Sequence, residues 1–237
     1  MTLSRMLHSP RAILVNLDQR VQLGIIGVLV GILGGFAALA LTFSLERISL
    51  WLTPYRKEIS LVLPAAGILL TILLLKYVFH DHKGHGLPDV IFSVSMRGGR
   101  LKLRSAISRL LGCLLTISGG GSAGPEAPVA ISGAAIGSNI ATYFKSNDSV
   151  RIAATGSGAA AAIGAIFNAP IAGFIFSMEV ILGEWSRTNM LPVALASVTG
   201  TLVSRIFHGD QIPFEHRPLE LGLPDILPPP FFRSSSP

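Results

Sequence analysis

Glu126 is a lone carboxylate in an uncharged setting. It stands in Ser118-Gly119-Gly120-Gly121-Ser122-Ala123-Gly124-Pro125-Glu126-Ala127-Pro128, between two apolar runs. The glycines and prolines break one helix and start another. A helix start offers free N–H groups with partial positive charge, which suits an anion. A carboxylate there competes with a diffusible anion for the same N–H groups. At membrane depth an ionisable group costs about 3 kcal/mol or more, so it is a functional candidate by default. Burial would raise its pKa and let it exchange protons near neutral pH. The plain alternative is a structural cap on a helix. A phosphate loop does not fit, because the string lacks the Gly-Lys-Ser/Thr that would complete it.

Two other segments are unlike ordinary span sequence. Gly84-His85-Gly86-Leu87-Pro88 precedes a short helical pattern over residues 89–96. Proline in a first turn leaves backbone N–H groups free, and glycine permits close approach of a ligand. Further on, Gly164-Ala165-Ile166-Phe167-Asn168-Ala169-Pro170-Ile171-Ala172-Gly173 leads into Phe176-Ser177-Met178-Glu179-Val180. There Asn168 and Pro170 end one helix and start another inside a single apolar run, which by itself signals a kink. The cluster His80-Asp81-His82-Lys83 reads as a polar loop, and no metal site is expected.

The elements that must hold these segments are membrane helices. Of the 237 residues, 50% are apolar and only 14% charged, against about 25% in soluble domains. The formal charge of +6 comes from basic residues bordering apolar runs, as membrane topology requires. Nucleic acid is therefore not an expected partner, and the lipid bilayer is. Uncharged or nearly uncharged runs cover residues 21–45, 60–79, 110–125, 127–144, 152–178 and 188–204. The fold class is all-α, a polytopic membrane protein with tilted and broken helices. Lys and Arg before residue 20 and between residues 76 and 109 place the N-terminus and the second loop in the cytoplasm. Gly27, Gly31 and Gly35 recur every fourth residue, a small-residue seam for close packing within the bundle or, alternatively, between two copies. Cys113 reads as inert packing, and no cleavable signal peptide opens the chain. Residues 1–20 read as a cytoplasmic segment, 21–208 as the transmembrane unit, and 209–237 as a proline-rich, non-spanning tail.

In order and spacing, these segments resemble the chloride channel and chloride–proton exchanger (CLC) family. Gly84-His85-Gly86-Leu87-Pro88 is similar to that family's G-S-G-I-P segment, and Gly124-Pro125-Glu126-Ala127-Pro128 to its G-R/K-E-G-P segment. The register is set by Gly133-Ala-Ala-Ile136-Gly-Ser138. Phe167-Asn-Ala-Pro170-Ile-Ala-Gly173 matches most closely, and Ser204-Arg-Ile-Phe207 echoes the end of the next helix. The resemblance runs from about residue 20 to 208. It implies that Glu126 is a gating carboxylate. It further implies that amides around Gly124, Pro125, Ala127 and Pro128, with the Gly84, His85, Gly86, Leu87 and Pro88 segment, cradle chloride or a similar anion. Chloride is then the transported ligand and no cofactor or enzymatic activity is implied.

Two departures matter. His85 stands where the family usually has a chloride-contacting serine; its ring either donates an N–H or points away, leaving the backbone to act. Val180 stands where exchangers usually carry a proton-passing glutamate, next to Glu179, which reads as structural. Valine cannot relay a proton, which favours a passive channel, with chloride–proton exchange as the alternative. The family fold is an inverted repeat of two halves. This chain resembles the first half only, so a truncated reading frame is expected, and a non-transporting membrane fragment is a third reading. A completed protein would be a homodimer in the cell (inner) membrane.

Overall fold

The computed structural model describes residues 18–52, 62–79 and 86–209. Every regular element among them is helical, as backbone in a lipid setting requires. In chain order these are α1 (Gln19–Leu52), α2 (Leu63–Leu73, continued by the π turn Leu74–Val78), α3 (Leu87–Met96), α4 (Leu103–Ser118), α5 (Glu126–Tyr143), α6 (Asp148–Phe167), α7 (Pro170–Phe176, continued by the π segment Ser177–Leu182) and α8 (Arg187–His208). Among the described residues, α1, α6 and α8 are long and apolar enough to cross a membrane.

The centre of the molecule is α6, in which every residue from 153 to 165 is buried. It is built from alanine, glycine and small hydroxyl residues, so neighbouring helices reach it backbone to backbone. On α5, a Cβ at Gly133 would overlap the Gly158 carbonyl of α6, and one at Gly137 would overlap the Ala154 carbonyl. From α8, a Cβ at Gly200 would lie 2.7 Å from the Ala161 oxygen. Buried hydroxyls close the polar account: Ser157 Oγ donates to the Ala153 carbonyl (2.8 Å) and Thr201 Oγ1 to the Ser197 carbonyl (2.8 Å). Among the described residues no buried side-chain nitrogen or oxygen lacks a partner.

The glycine seam of α1 lies inside the bundle. Cβ atoms at Gly27, Gly31 and Gly35 would stand 2.7, 2.8 and 2.8 Å from the carbonyls of Pro192, Ala196 and Gly200 of α8. The equal spacing also shows that α1 and α8 run parallel, with their first turns side by side. On the opposite flank of α1, Val21, Ile25, Leu29 and Leu33 form an exposed stripe at four-residue intervals, and α2 exposes Ile68, Leu69, Leu70 and Ile72. Apolar surface of this extent fits lipid rather than water.

Two expected spans are redrawn. The run 110–125 does not form a helix of those limits: α4 starts at Leu103, takes in Arg104 and Arg109, and stops at Ser118. It stops because Gly120 takes φ +88° and the Gly121 amide folds back to the Thr116 carbonyl (2.9 Å). The run 152–178 is a reversal, not a kinked span. Asn168 adopts the left-handed conformation (φ 53°), the Ala169 amide bonds the Gly164 carbonyl (3.0 Å), and Pro170 starts α7 running back along α6. Gly173 then packs against Ala160 and Gly164, and Ser177 Oγ donates to the Gly156 carbonyl (2.6 Å).

This packing predicts a sharp contrast between glycines. Gly158→Val should destabilise the bundle by about 1–3 kcal/mol or more, because it overpacks a backbone contact. Gly24→Ala, whose new methyl would meet only Leu195 Cδ1 at 3.8 Å, should be neutral or stabilising. Thermal unfolding of both variants in detergent checks this; equal midpoints would contradict the central role of the α5–α6 contact.

Candidate anion site at a helix start

The break between α4 and α5 is positioned from below by glycine. A Cβ at Gly119 would lie 3.0 Å from the Leu63 carbonyl, and one at Gly67 would lie 2.8 Å from the Leu115 carbonyl, so α2 presses directly on the end of α4. The chain then runs through Gly121–Gly124 without regular structure and re-enters a helix at Glu126, with Pro125 as its cap residue. The first α5 amide to be satisfied is Val129, which donates to the Pro125 carbonyl (3.0 Å). The amides of Ser122, Gly124, Glu126 and Ala127 make no backbone hydrogen bond among the described residues, and Pro128 has none to offer.

The Glu126 side chain turns back over this break. A Cβ at Gly124 would overlap its Oε2, so only glycine at that position leaves the carboxylate its place. Sequence reasoning expected a buried carboxylate; in this chain Glu126 and Ala127 are exposed, because no described helix covers the start of α5. Cys113 is buried nearby in a cluster with Ala38, Leu41, Val129, Ala162 and Ala165.

The second half of the earlier glycine segment comes to the same helix. Gly86 holds φ +76°, its absent Cβ would be 4.0 Å from Ile131 Cδ1 of α5, and Leu87 packs against the cluster of Val90, Val94, Ile131 and Ala134. Pro88 sits in the first turn of α3, leaving the Leu87 amide as the donor at that start. Gly84, His85 and the His80–Lys83 cluster lie outside the described residues.

Val180 and Glu179 are placed elsewhere. Both are exposed on the π segment, and Glu179 makes no hydrogen bond or ion pair among the described residues. Ile181 packs with Ile152, and Leu182 covers Gly156, near the first half of α6. Glu126 belongs to the other end, where Val129 meets Ala162 and Ala165. The two levels are separated by about ten residues of α6, roughly 15 Å at 1.5 Å per residue. A proton cannot pass between them in one step.

One group of polar residues escaped the sequence reading. The loop from Arg97 to Lys102 is held by side chains from three helices. Ser93 Oγ donates to the Arg100 carbonyl (2.8 Å), Ser138 Oγ donates to the Gly99 carbonyl (2.6 Å) and accepts from the Leu101 amide (2.9 Å), and Asn139 donates to the Leu101 carbonyl (3.1 Å). Arg151, 4% exposed, donates to the Gly98 carbonyl (2.7 Å) and pairs with Asp148. The available signal was a cation three residues after Asp148 at the edge of a Gly/Ala run, where it passes for an ordinary boundary charge. Ser138→Ala should cost about 1–3 kcal/mol by stranding buried groups. It should also raise trypsin cleavage at Arg97, Arg100 and Lys102 well above that of the exposed-site control Ser122→Ala. Unchanged cleavage would show that the loop is held without Ser138.

The family model described as voltage gated chloride channel matches residues 67–229, well over half of the chain and past residue 208, where the sequence resemblance stopped. A putative chloride channel protein, ClcB-like, of Ralstonia nicotianae is 28% identical over 197 residues, covering 76% of this chain and 46% of that protein. An H(+)/Cl(-) exchange transporter, ClcA, of Vibrio parahaemolyticus is 27% identical over 201 residues, covering 80% of this chain and 42% of that protein. The crystal structure of a CLC-type fluoride/proton antiporter superposes with a TM-score of 0.72 at 26% identity, over 86% of this chain and 51% of that one. The chain thus spans about half the length of the proteins it matches.

Proposed function

The chain belongs to the voltage gated chloride channel family, and from that premise we propose that it forms the first part of a membrane pathway for chloride, gated by Glu126. The observation that carries this reading is the Glu126 carboxylate lying over Gly124 in front of unbonded α5 amides, on a face left open. A carboxylate so placed competes with a permeating anion for the same donors. When it is protonated or swings aside, Gly124, Glu126 and Ala127 present their N–H groups to chloride, while Pro125 and Pro128 set the turn. The helix start at Gly86–Pro88 supplies a second set of donors, and His85, outside the described residues, is the residue that bears on anion preference. A second half covering the open face would bury Glu126 and complete the wall. Residues 21–208 are the transmembrane unit, the expected tail lies from residue 210 on outside the described residues, and the completed protein is a homodimer in the inner membrane with a cytoplasmic N-terminus.

Passive conduction is favoured over exchange by Val180, whose side chain can neither take nor release a proton. Coupled chloride–proton exchange is the second reading. It is supported by the Vibrio parahaemolyticus relative, which is named an H(+)/Cl(-) exchange transporter. No enzymatic chemistry enters either reading.

The test is ion flux through liposomes carrying this chain fused to the remaining half of the Ralstonia nicotianae relative. Chloride should leave down its gradient without stoichiometric uphill proton movement; coupled protons would replace the channel reading with exchange. Glu126→Gln should raise flux several-fold and flatten its dependence on pH. Flux with the rate and pH profile of the parent would remove Glu126 from the gate.

A further inference from the structure

The geometry points to a binding site for the phosphate of an anionic phospholipid headgroup, in a cleft between the first turns of α1 and α8. The cleft has a volume of about 520 Å³, and Asp18, Arg20, Leu23, Arg187, Thr188 and Leu191 are among its walls. It exists because the parallel seam of Gly27, Gly31 and Gly35 against Pro192, Ala196 and Gly200 brings both helix beginnings to the same level. Arg20 and Arg187 are each the last charge before a long uncharged stretch, residues 21–45 and 188–204. Neither guanidinium has a carboxylate partner among the described residues. Asp18, the one acid among the described residues of the wall, is engaged in starting α1: its Oδ1 accepts from the Arg20 amide (3.4 Å) and its carbonyl from the Gln22 amide (3.0 Å).

Two arginines lining one cleft can offer it planar guanidinium forks, which match the oxygens of a phosphate diester better than a monovalent halide. The rest of the lining favours a lipid over a free phosphate. Leu23 and Leu191 bound the cleft on its apolar side, and Leu191 is 51% exposed where the outward-facing apolar surface of α8 begins. A ligand charged at the level of Arg20 and Arg187 and apolar immediately beyond it has the chemistry of a phospholipid. This site is separate from Glu126 and does not depend on anion transport.

Native mass spectrometry of the full chain purified in detergent, after exposure to equal phosphatidylglycerol and phosphatidylcholine, provides the test. Phosphatidylglycerol should be retained at least fivefold over phosphatidylcholine. Each arginine near an anionic headgroup contributes about fivefold, so Arg20→Gln and Arg187→Gln together should remove the preference. The Arg20→Lys/Arg187→Lys pair, which keeps the charge but loses the forks, should fall between the parent and the glutamine pair, while the distant control Arg97→Gln should keep the preference, with circular dichroism checking that each variant retains its helix content. If the double glutamine variant loses helix, the single variants carry the test, each expected to lose about fivefold. Equal retention of both lipids, or a preference indifferent to both arginines in folded variants, would overturn the assignment. Displacement of phosphatidylglycerol by free glycerol phosphate at matched concentration would overturn the lipid source in favour of a soluble phosphate.

Discussion

The whole arrangement depends on helices touching through their backbones. Lipid offers no hydrophobic drive to push one apolar helix onto another, so association rests on close contact. Here that contact is made where side chains are absent or minimal: Gly133 on Gly158, Gly137 on Ala154, Gly200 on Ala161, and the α1 seam on the α8 carbonyls. The buried stretch of α6 is the common partner of α1, α5, α7 and α8. A bulky residue at any of these crossings would separate two helices and displace everything anchored beyond them, including the starts of α3 and α5.

Open structure is concentrated where that packing stops. The α4–α5 break is pinned by α2 through Gly67 and Gly119, yet its far side, with Gly124, Glu126 and Ala127, is exposed. The Asn168 reversal has a related effect at the same end of α6. It sends α7 back along the helix and carries Glu179 and Val180 toward the opposite end. A rigid, tightly crossed core and two interrupted elements thus put the carboxylate and the valine at different depths.

Much of the candidate site was legible residue by residue. Pro88, Pro125 and Pro170 each mark a helix start, and the glycine string before Glu126 marks a stop, because these residues restrict or free the backbone locally. Asn168 was legible as a break but not as a reversal. A left-handed residue followed by proline permits both outcomes, and the choice falls to what Gly173 and Ser177 can touch on α6. The Arg97–Lys102 clamp was illegible for a similar reason: Ser93, Ser138, Asn139 and Arg151 lie far apart in the chain and look like unremarkable polar punctuation.

By itself, the sequence determined an all-helical membrane chain, the order of its interruptions, and the place of Glu126 at one of them. Hydropathy and backbone chemistry are local properties and survive reading in one dimension. Only the tertiary structure decided that the glycine seam of α1 joins α8 inside the bundle and that residues 152–178 double back. It also decided that Glu126 leans over Gly124 on an uncovered face. Each of those depends on which distant backbone fills the space beside a residue, and that is set by packing in three dimensions.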